Sequence, residues 1–317
     1  MDSALQFPER RSISVVTPVY NGEASVAELC RRLEEVLPRV ATHYEIILVN
    51  DGSRDRSWEV ISELSSRLPT VRGLNLMRNY GQHNALLCGI RAAKYEVIVT
   101  MDDDLQHPPE EIPRLLARLE EGFDVVYGAP KTEQNGPMRA IASRITRLAL
   151  RSAVGADVAK NVSAFRIFRT QLREAFAGYQ TPFVSIDVLL TWATTRFGAT
   201  TVPFQKRFSG SSNYTFVKLV RYALDMMTGF STAPLQLASL IGFTCTLFGI
   251  GVLIYVFVRY CLEGSVPGFP FLASIIAIFS GAQLFALGVI GEYLARMHFR
   301  SMKRPAYVVR ATTLLHE

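Results

Sequence analysis

Two hydrophobic patterns follow each other along this chain. Between residues 12 and 128, short runs of aliphatic and β-branched residues such as SISVVTPV, EIILVND, VRGLNL and EVIVTMDDD alternate with stretches of helical period. Strands that alternate with helices predict an α/β domain with a mostly parallel sheet. The predicted helices are 24–40, 57–67, 82–93 and 109–121, and a further strand is predicted at DVVYGA.

The second pattern is a pair of long apolar runs near the C-terminus. The runs 226–258 and 264–291 contain no charged residue. The short connection between them holds Arg259 and Glu263. Each is long enough to cross a hydrocarbon layer of about 30 Å. The predicted segments are transmembrane helix 1 at 232–258, a short external loop at 259–268 and transmembrane helix 2 at 269–291.

Basic residues flank the pair of runs at both outer ends. They are Lys218 and Arg221 before the first run, and Arg296, Arg300, Lys303 and Arg304 after the second. Because cytoplasmic flanks carry the excess of Lys and Arg, both ends of the pair are predicted to be cytoplasmic. We therefore expect a multi-pass protein of the inner (cytoplasmic) membrane, with its globular domain and a basic tail (292–317) in the cytoplasm.

The segment that precedes the first run has apolar residues at helical spacing and charges on its other faces. It covers residues 211–231 and favours an amphipathic helix that lies on the bilayer surface. An ordinary amphipathic core helix is the alternative. In both cases it joins an N-terminal extension (1–11) and a globular domain (12–210) to the membrane.

Charge is distributed very unevenly in these 317 residues. The chain has 34 Lys and Arg and 28 Asp and Glu, but only Arg259 and Glu263 lie between Met226 and Gly291. The net charge of +6 fits an anionic membrane surface or a phosphorylated substrate. No zinc-ligand spacing, RNA-binding aromatic signature or long basic block occurs, which argues against nucleic acid. A transporter is disfavoured because the spans hold no internal ionisable residue.

Polar residues follow three of the predicted parallel strands. They are Thr17, Pro18, Tyr20, Asn21 and Glu23 after the first strand, Asn50, Asp51, Gly52 and Ser53 after the second, and Asp102, Asp103 and Asp104 after the fourth. Ligands of open α/β sheets bind beyond the carboxyl ends of the strands, so these residues form the candidate site. Neither a dinucleotide fingerprint nor a P-loop occurs.

The acidic run 102–104 supplies another way to hold phosphate. Carboxylates are the ligands that Mg²⁺ and Mn²⁺ prefer, and such an ion can bridge a diphosphate and stabilise its departure. In an extended segment, Asp102 and Asp104 are expected to share a face and Asp103 to point elsewhere. A solvated acidic turn is the alternative. The position after a buried-type strand and before LQHPPEE favours the metal site.

Five motifs resemble one enzyme family. They are TPVYNGE at 17–23, VNDGSRD at 49–55, RNYGQHNALLCGI at 78–90, MDDDLQHPPEEIPRLL at 101–116 and RFSGSSNYTF at 207–216. They are similar to the family 2 glycosyltransferases that load polyprenyl phosphates, and the resemblance covers nearly the whole chain. It implies a GT-A fold and inverting transfer of a sugar from a nucleotide sugar to a polyprenyl (undecaprenyl) phosphate at the cytoplasmic membrane face. The resemblance favours a UDP-linked donor, and a GDP-linked donor stays open.

The resemblance also implies roles for single residues. Nucleotide binding would fall to Pro18, Tyr20, Glu23, Asp51, Asp102, Asp103 and Gln106, binding of Mg²⁺ or Mn²⁺ to Asp102 and Asp104, and acceptor-phosphate binding to Arg207, Ser212 and Tyr214. Asp102, Asp104 and Arg207 are then the expected catalytic residues. Some relatives form tetramers, so a homo-oligomer is a further expectation.

Two of the departures from the family pattern bear on the transfer step. Asn213 stands where the family has a lysine, and the aspartate that many members carry shortly before F-R-L is missing from the stretch 161–166. Asp157 is the nearest acid and is one hypothesis for a general base; a surface acid is the other. The second pKa of a phosphate monoester is near 6, so the acceptor is largely anionic at neutral pH and needs no base.

Two other functions stay open at this point. One is transfer to a different membrane lipid such as diacylglycerol, and the other is a membrane-anchored nucleotide-sugar binder without turnover. Among single residues, His83 and His107 are expected to form hydrogen bonds or belong to loops, because no second His or Cys stands at metal-ligand spacing. Trp58 and Trp192 are expected to pack.

Overall fold

The computed structural model describes most of the chain. The described ranges are 11–130, 161–181, 183–205, 232–263, 268–302 and 304–313. The strands are β1 (Arg11–Val19), β2 (Ala41–Asn50), β3 (Val71–Leu76), β4 (Val97–Thr100), β5 (Val125–Pro130), β6 (Arg166–Arg169), β7 (Phe197–Val202) and β8 (Val309–Thr312). The α-helices are α1 (Val26–Val40), α2 (Ser57–Arg67), α3 (Gln82–Ala92), α4 (Ile112–Glu120), α5 (Ile186–Ala193), α6 (Ala233–Glu263) and α7 (Phe269–Ser301), and 3-10 helices lie at Pro109–Glu111 and Thr170–Phe176.

The strands form one mixed sheet in the order β7-β5-β6-β4-β1-β2-β3-β8. Its centre, β4-β1-β2-β3, is parallel, which confirms the predicted α/β class. The strand β6 pairs antiparallel with both β4 and β5. Because β1 lies between β2 and β4, the chain order reverses at β1, and ligands of such sheets bind at this kind of reversal.

Helices cover both faces of the sheet. Side chains of β1 alternate between two buried apolar clusters: Val15 belongs to the cluster under α1, α2 and α4, and Val16 to the cluster under α3 and α5. Burial on both faces explains why these strands hold consecutive apolar residues, such as IILV at 46–49 in β2. The carboxyl ends of β1, β2 and β4 therefore meet at one edge with their loops exposed.

The last strand, β8, returns the chain to the sheet after the two long helices. It pairs antiparallel with β3, and the segment continues the pairing: Thr313 N–H donates to Gly73 O (3.0 Å) and Met77 N–H to Val308 O (2.9 Å). This strand lies within the segment that we expected to be only a basic tail. Strands that precede and follow the helix pair belong to the same sheet, so both ends of the pair lie on the side of the sheet.

The helices α6 and α7 are long, apolar and exposed. Their segments Pro234–Leu262 and Ile278–His298 are long and apolar enough to cross a membrane, and neither is buried inside the protein. The backbone of Leu235 is hydrogen-bonded to Tyr293, so the start of α6 lies beside the end of α7. The helices lie where the two spans were predicted and extend beyond them. The predicted interfacial helix, 211–231, lies outside the described residues.

Candidate active site

The loops that follow β1 and β2 form one hydrogen-bonded unit. Asn21 adopts φ 55°, a left-handed conformation that asparagine tolerates. Its Oδ1 accepts from the Arg54 N–H (2.9 Å), and its own N–H donates to Ser53 Oγ (3.0 Å). The TPVYNGE and VNDGSRD motifs are thus parts of the same wall of the site.

Three predicted nucleotide-binding residues lie on this wall in different environments. Pro18 is buried at the end of β1, whereas the Tyr20 side chain is 41% exposed. An exposed aromatic ring at this edge offers a stacking face for a nucleobase. Glu23 is exposed, but its Oε2 accepts from the Arg56 N–H (3.0 Å). Glu23 therefore stabilises the loop after β2, whatever else it contacts.

Asp51 connects this wall to the next strand end. Its Oδ1 accepts from the Tyr80 N–H (2.7 Å) and its Oδ2 from the Gly81 N–H (2.8 Å). Burial raises the pKa of the Asp51 carboxyl to about 6, although these two N–H donors and the Arg78 charge act to lower it. Gly81 has φ 97°, which favours glycine. Asp51 thus determines the path of the segment after β3.

The segment after β3 contributes contacts to which no role was assigned from the sequence. The Arg78 guanidinium lies 4.2 Å from the centre of the Tyr80 ring. Gln82, at the start of α3, donates from Nε2 to Asp102 Oδ1 (2.6 Å). The signal was available, because the RNYGQH motif directly follows a predicted strand at the same edge. Gln82 positions one of the two predicted metal ligands.

The acidic run does not continue β4. The strand ends at Thr100, and residues 103–104 form a turn, so the expectation of an extended segment with alternating faces is wrong. A Cβ on Gly22 would lie 2.0 Å from Asp103 Oδ2, which places the Asp103 carboxylate against the loop after β1. Asp104 Oδ1 accepts from the Gln106 N–H (3.1 Å). The three carboxylates thus face three different neighbours.

The acidic turn offers oxygen ligands suited to a hard divalent ion. No group of three His, Cys, Asp or Glu side chains that could hold a metal occurs in the part of the chain that the structure describes. Mg²⁺ is usually held by one or two carboxylates together with substrate phosphates and water. Asp102 and Asp104 fit that kind of site, in which the ion is bound together with a diphosphate.

The two histidines near the site are hydrogen-bonded, as predicted. His83 Nδ1 accepts from the Ile186 N–H (3.3 Å), at the start of α5. His107 Nε2 lies 3.4 Å from Ser163 Oγ, and its ring packs against Phe165 and Phe204. Burial lowers the pKa of His83 to about 4 and also lowers that of His107. Both imidazoles are therefore neutral at pH 7.

A buried ion pair lies in the layer beneath α3. Arg166 Nη1 is 2.6 Å from Asp187 Oδ1, and both side chains are almost completely buried. The Tyr127 hydroxyl donates to the same Asp187 oxygen (3.0 Å). The cluster joins β5, β6 and α5 and adjoins His83, whose pKa responds to both charges. No local pattern indicates this pair, since the two charges stand 21 residues apart within apolar stretches.

The residues after the acidic turn are also hydrogen-bonded to the segment of the chain that leads toward the membrane helices. Gln205 N–H donates to Gln106 O (2.8 Å), and Gln106 Nε2 donates to Gln205 O (3.5 Å). Gln205 ends one described range. Several predicted functional residues lie outside the described residues: Asp157, Arg207, Ser212, Asn213 and Tyr214.

These features together define a class of enzyme. A mixed α/β sheet reverses its strand order at a polar edge, without a P-loop, and that edge carries an exposed tyrosine, a buried aspartate and an acidic turn. The domain continues into two helices apolar enough to span a membrane. This is the GT-A architecture of a glycosyltransferase. Residues 14–176 match the glycosyl transferase family 2 model, and the chain belongs to that family.

Relatives resemble the chain over nearly its whole length. The undecaprenyl-phosphate 4-deoxy-4-formamido-L-arabinose transferase of Shewanella sediminis is 35% identical over 302 residues, which cover 94% of this chain and 91% of that protein. The enzyme of the same name from Pseudomonas aeruginosa is 36% identical over 308 residues, 95% and 91% of the two chains. The protein is accordingly a family 2 glycosyltransferase that is similar to undecaprenyl-phosphate sugar transferases over nearly its whole length.

Solved structures share the fold at low sequence identity. Glucosyl-3-phosphoglycerate synthase of Mycobacterium tuberculosis, in complex with Mn²⁺, uridine diphosphate and glucosyl-3-phosphoglycerate, has a TM-score of 0.50 and 17% identity over 69% of this chain and 78% of that one. A mycobacterial protein has a TM-score of 0.52 and 15% identity over 69% and 73%. These likenesses support the GT-A fold.

Proposed function

We propose that the protein transfers a sugar from a nucleotide sugar to undecaprenyl phosphate, with inversion, at the cytoplasmic face of the inner membrane. The observation that carries the proposal is the paired hydrogen bonding of Gln106 and Gln205. It joins the acidic turn to the segment that holds Arg207 and continues to the membrane helices. These contacts support a donor site that lies close to an acceptor-binding segment of the same chain.

The donor side of this proposal uses the strand-end residues. Tyr20 would stack on the base, and Asp51 would hold the loop that surrounds the ribose. The other contacts with the nucleotide are assigned to Pro18, Glu23, Asp102, Asp103 and Gln106. Asp102 and Asp104 would hold Mg²⁺ or Mn²⁺, and the bound ion supplies positive charge at the departing diphosphate. The Mn²⁺ and uridine diphosphate in the mycobacterial fold neighbour support a divalent ion and a UDP-linked donor.

On the acceptor side, cations that offset the repulsion between the two anions matter more than a general base. One acceptor phosphate oxygen forms a bond to the anomeric carbon, while the bond from that carbon to the diphosphate oxygen breaks on the opposite face. The electron pair leaves with the nucleotide diphosphate. Since the acceptor phosphate is already ionised, no proton has to be removed. Arg207, Ser212 and Tyr214 would bind the acceptor phosphate and offset the repulsion between the two anions.

The membrane orientation is part of the same proposal. The strand β8 keeps both ends of the helix pair on the side of the catalytic domain. Basic residues lie at those ends, and basic flanks face the cytoplasm. The active site would therefore face the cytoplasm, where nucleotide sugars are present, and only the short connection between α6 and α7 would be external.

A donor and acceptor panel tests this function. Membranes that contain the full-length protein are incubated with radiolabelled UDP- and GDP-sugars, including a 4-deoxy-4-formamido-L-arabinose donor as the names of the relatives suggest. Undecaprenyl phosphate and diacylglycerol are supplied in parallel, with Mg²⁺ or Mn²⁺. A labelled undecaprenyl product with one donor supports the proposal. A labelled diacylglycerol product supports the other acceptor class, and donor binding without any product supports a non-catalytic binder.

A further inference from the structure

Two exposed aromatic residues and a partly buried tyrosine form a patch on the catalytic domain. Trp192, in α5, is 52% exposed and Phe183 is 38% exposed, so the packing role expected for Trp192 is largely absent. The Tyr179 ring packs edge-on against Trp192, with 5.6 Å between ring centres, and its hydroxyl donates to Phe183 O. We call Tyr179, Phe183 and Trp192 the aromatic patch.

The aromatic patch adjoins one end of the helix pair. The Arg296 guanidinium of α7 lies 5.0 Å from the centre of the Phe183 ring. Arg296 comes one turn after Tyr293, which is hydrogen-bonded to the backbone of Leu235 in the first turn of α6. The patch therefore lies at the depth of the start of α6 and the end of α7, where one candidate membrane span begins and the other ends.

Aromatic side chains often lie at the membrane interface, which is the depth of the aromatic patch. Trp and Tyr concentrate at the boundary between the hydrocarbon core and water, because their rings are apolar and their polar atoms reach the headgroups. Arginine near a helix end extends toward the same region. Water is a poor environment for a half-exposed tryptophan beside an exposed phenylalanine, whereas the headgroup layer suits both.

We propose that the aromatic patch inserts into the headgroup layer of the bilayer that α6 and α7 cross. The catalytic domain then rests on the membrane through a second contact, separate from its covalent connection to the helices. This contact is continuous with the site, because α5 carries Trp192 and its first residue, Ile186, hydrogen-bonds His83. His83 directly precedes the buried part of α3 and follows Gln82, which binds Asp102.

The protein carries its own reporter for this inference. Of its 2 tryptophans, Trp58 packs against the core of the catalytic domain, and Trp192 belongs to the patch. The variant Trp58→Phe leaves Trp192 as the sole tryptophan, and Trp192→Phe leaves Trp58 as a matched control. Both are reconstituted at full length in phospholipid nanodiscs. Fluorescence is quenched either by lipids brominated on the upper acyl chain or by aqueous iodide.

We expect brominated lipid to remove at least about half of the Trp192 emission and iodide to remove little, whereas brominated lipid should leave the Trp58 emission unchanged. If iodide quenches Trp192 and brominated lipid does not, the patch faces water and the proposal fails. If neither quencher acts, another protein surface covers the patch and the proposal also fails. Should Trp58→Phe fold poorly, the difference between wild type and Trp192→Phe gives the same signal. No step depends on catalysis, so failure here is distinct from failure of the proposed function.

Discussion

At the scale of single residues, the carboxylates around the site differ in burial and in the hydrogen bonds that they accept. Asp51 is buried, and both of its oxygens accept backbone N–H groups of the segment after β3. Asp104 lies in an acidic turn at the surface of the edge and accepts the Gln106 N–H. We infer that Asp51 shapes the site and that Asp104 serves the ligand. The two residues should therefore respond differently to substitution.

Asp51 should give the protein a measurable dependence of stability on pH. The folded protein holds the Asp51 proton more tightly than the unfolded chain does, because burial raises the pKa of this carboxyl from 3.8 to about 6. Stability should therefore fall by up to about 3 kcal/mol as the pH rises from about 4 to about 6. Melting temperatures of wild type and Asp51→Asn, measured from pH 4 to 8, test this. The variant should lack this slope; parallel curves would contradict it.

The buried pair of Arg166 and Asp187 should be sensitive to loss of one partner. The substitution Asp187→Ala leaves the Arg166 charge buried without its counter-ion, which costs about 3–5 kcal/mol. Denaturant unfolding measures the loss. The exposed pair Arg67 and Glu63 is the matched control, and Glu63→Ala should change stability by less than about 1 kcal/mol. Equal effects of the two substitutions would show that the buried pair has no special role.

Some of these residue contacts could be predicted from the sequence and others could not. Strand ends are visible in the apolar pattern, so Asp51 and the acidic run could be assigned to the candidate site from the sequence. The turn at 103–104 was only the alternative in the sequence analysis, because a run of aspartates has no periodicity that shows where a strand ends. The pairing of Arg166 with Asp187 depends on tertiary packing, which a local pattern does not record.

At the scale of elements, β8 is the strand that its own local sequence explains least. Its residues, Val309–Thr312, follow a long apolar helix and are all exposed on at least one side. They form a strand because the edge of β3 offers unpaired backbone groups, and that partner lies about 230 residues earlier in the chain. The alternating strands and helices before it were predictable, since each has its own period.

The end of β8 should contribute measurably to the stability of the sheet edge. Thr313 Oγ1 accepts from the Gly73 N–H (2.8 Å) and is hydrogen-bonded to Ser65 Oγ (2.7 Å). The substitution Thr313→Val removes both contacts at similar volume, which should cost about 1–3 kcal/mol. Amide exchange at Gly73 should accelerate. Thr312→Val, at an exposed neighbouring position, should do neither; equal effects would contradict the assignment.

At the scale of the whole molecule, the helix pair predicts which cysteine meets the external solvent. Cys30 and Cys88 are buried, and burial raises the pKa of each thiol to about 12. Cys245 lies midway along α6, whereas Cys261 is exposed near the end of α6 that lies away from the sheet. The cysteines thus occupy three kinds of position: two are buried in the catalytic domain, one lies midway along α6, and one lies near the far end of α6.

A membrane-impermeant maleimide should therefore label wild-type protein in intact cells at Cys261. Labelling should disappear in Cys261→Ser. With Cys261 removed, a cysteine introduced by Ser301→Cys at the end of α7 should react only after the inner membrane is permeabilised. Reaction of the introduced cysteine in intact cells would place the catalytic domain outside and contradict the orientation.

The central claim is that the acidic turn catalyses sugar transfer to undecaprenyl phosphate, and a product balance tests it most directly. Wild type and Asp104→Asn, both at full length in bilayers, are given the donor selected by the panel together with undecaprenyl phosphate and divalent metal. If the acidic turn has this role, wild type should release one nucleotide diphosphate per glycolipid formed. Asp104→Asn should lose at least about 100-fold in kcat at unchanged melting temperature. Glycolipid formation by Asp104→Asn at the wild-type rate would contradict it.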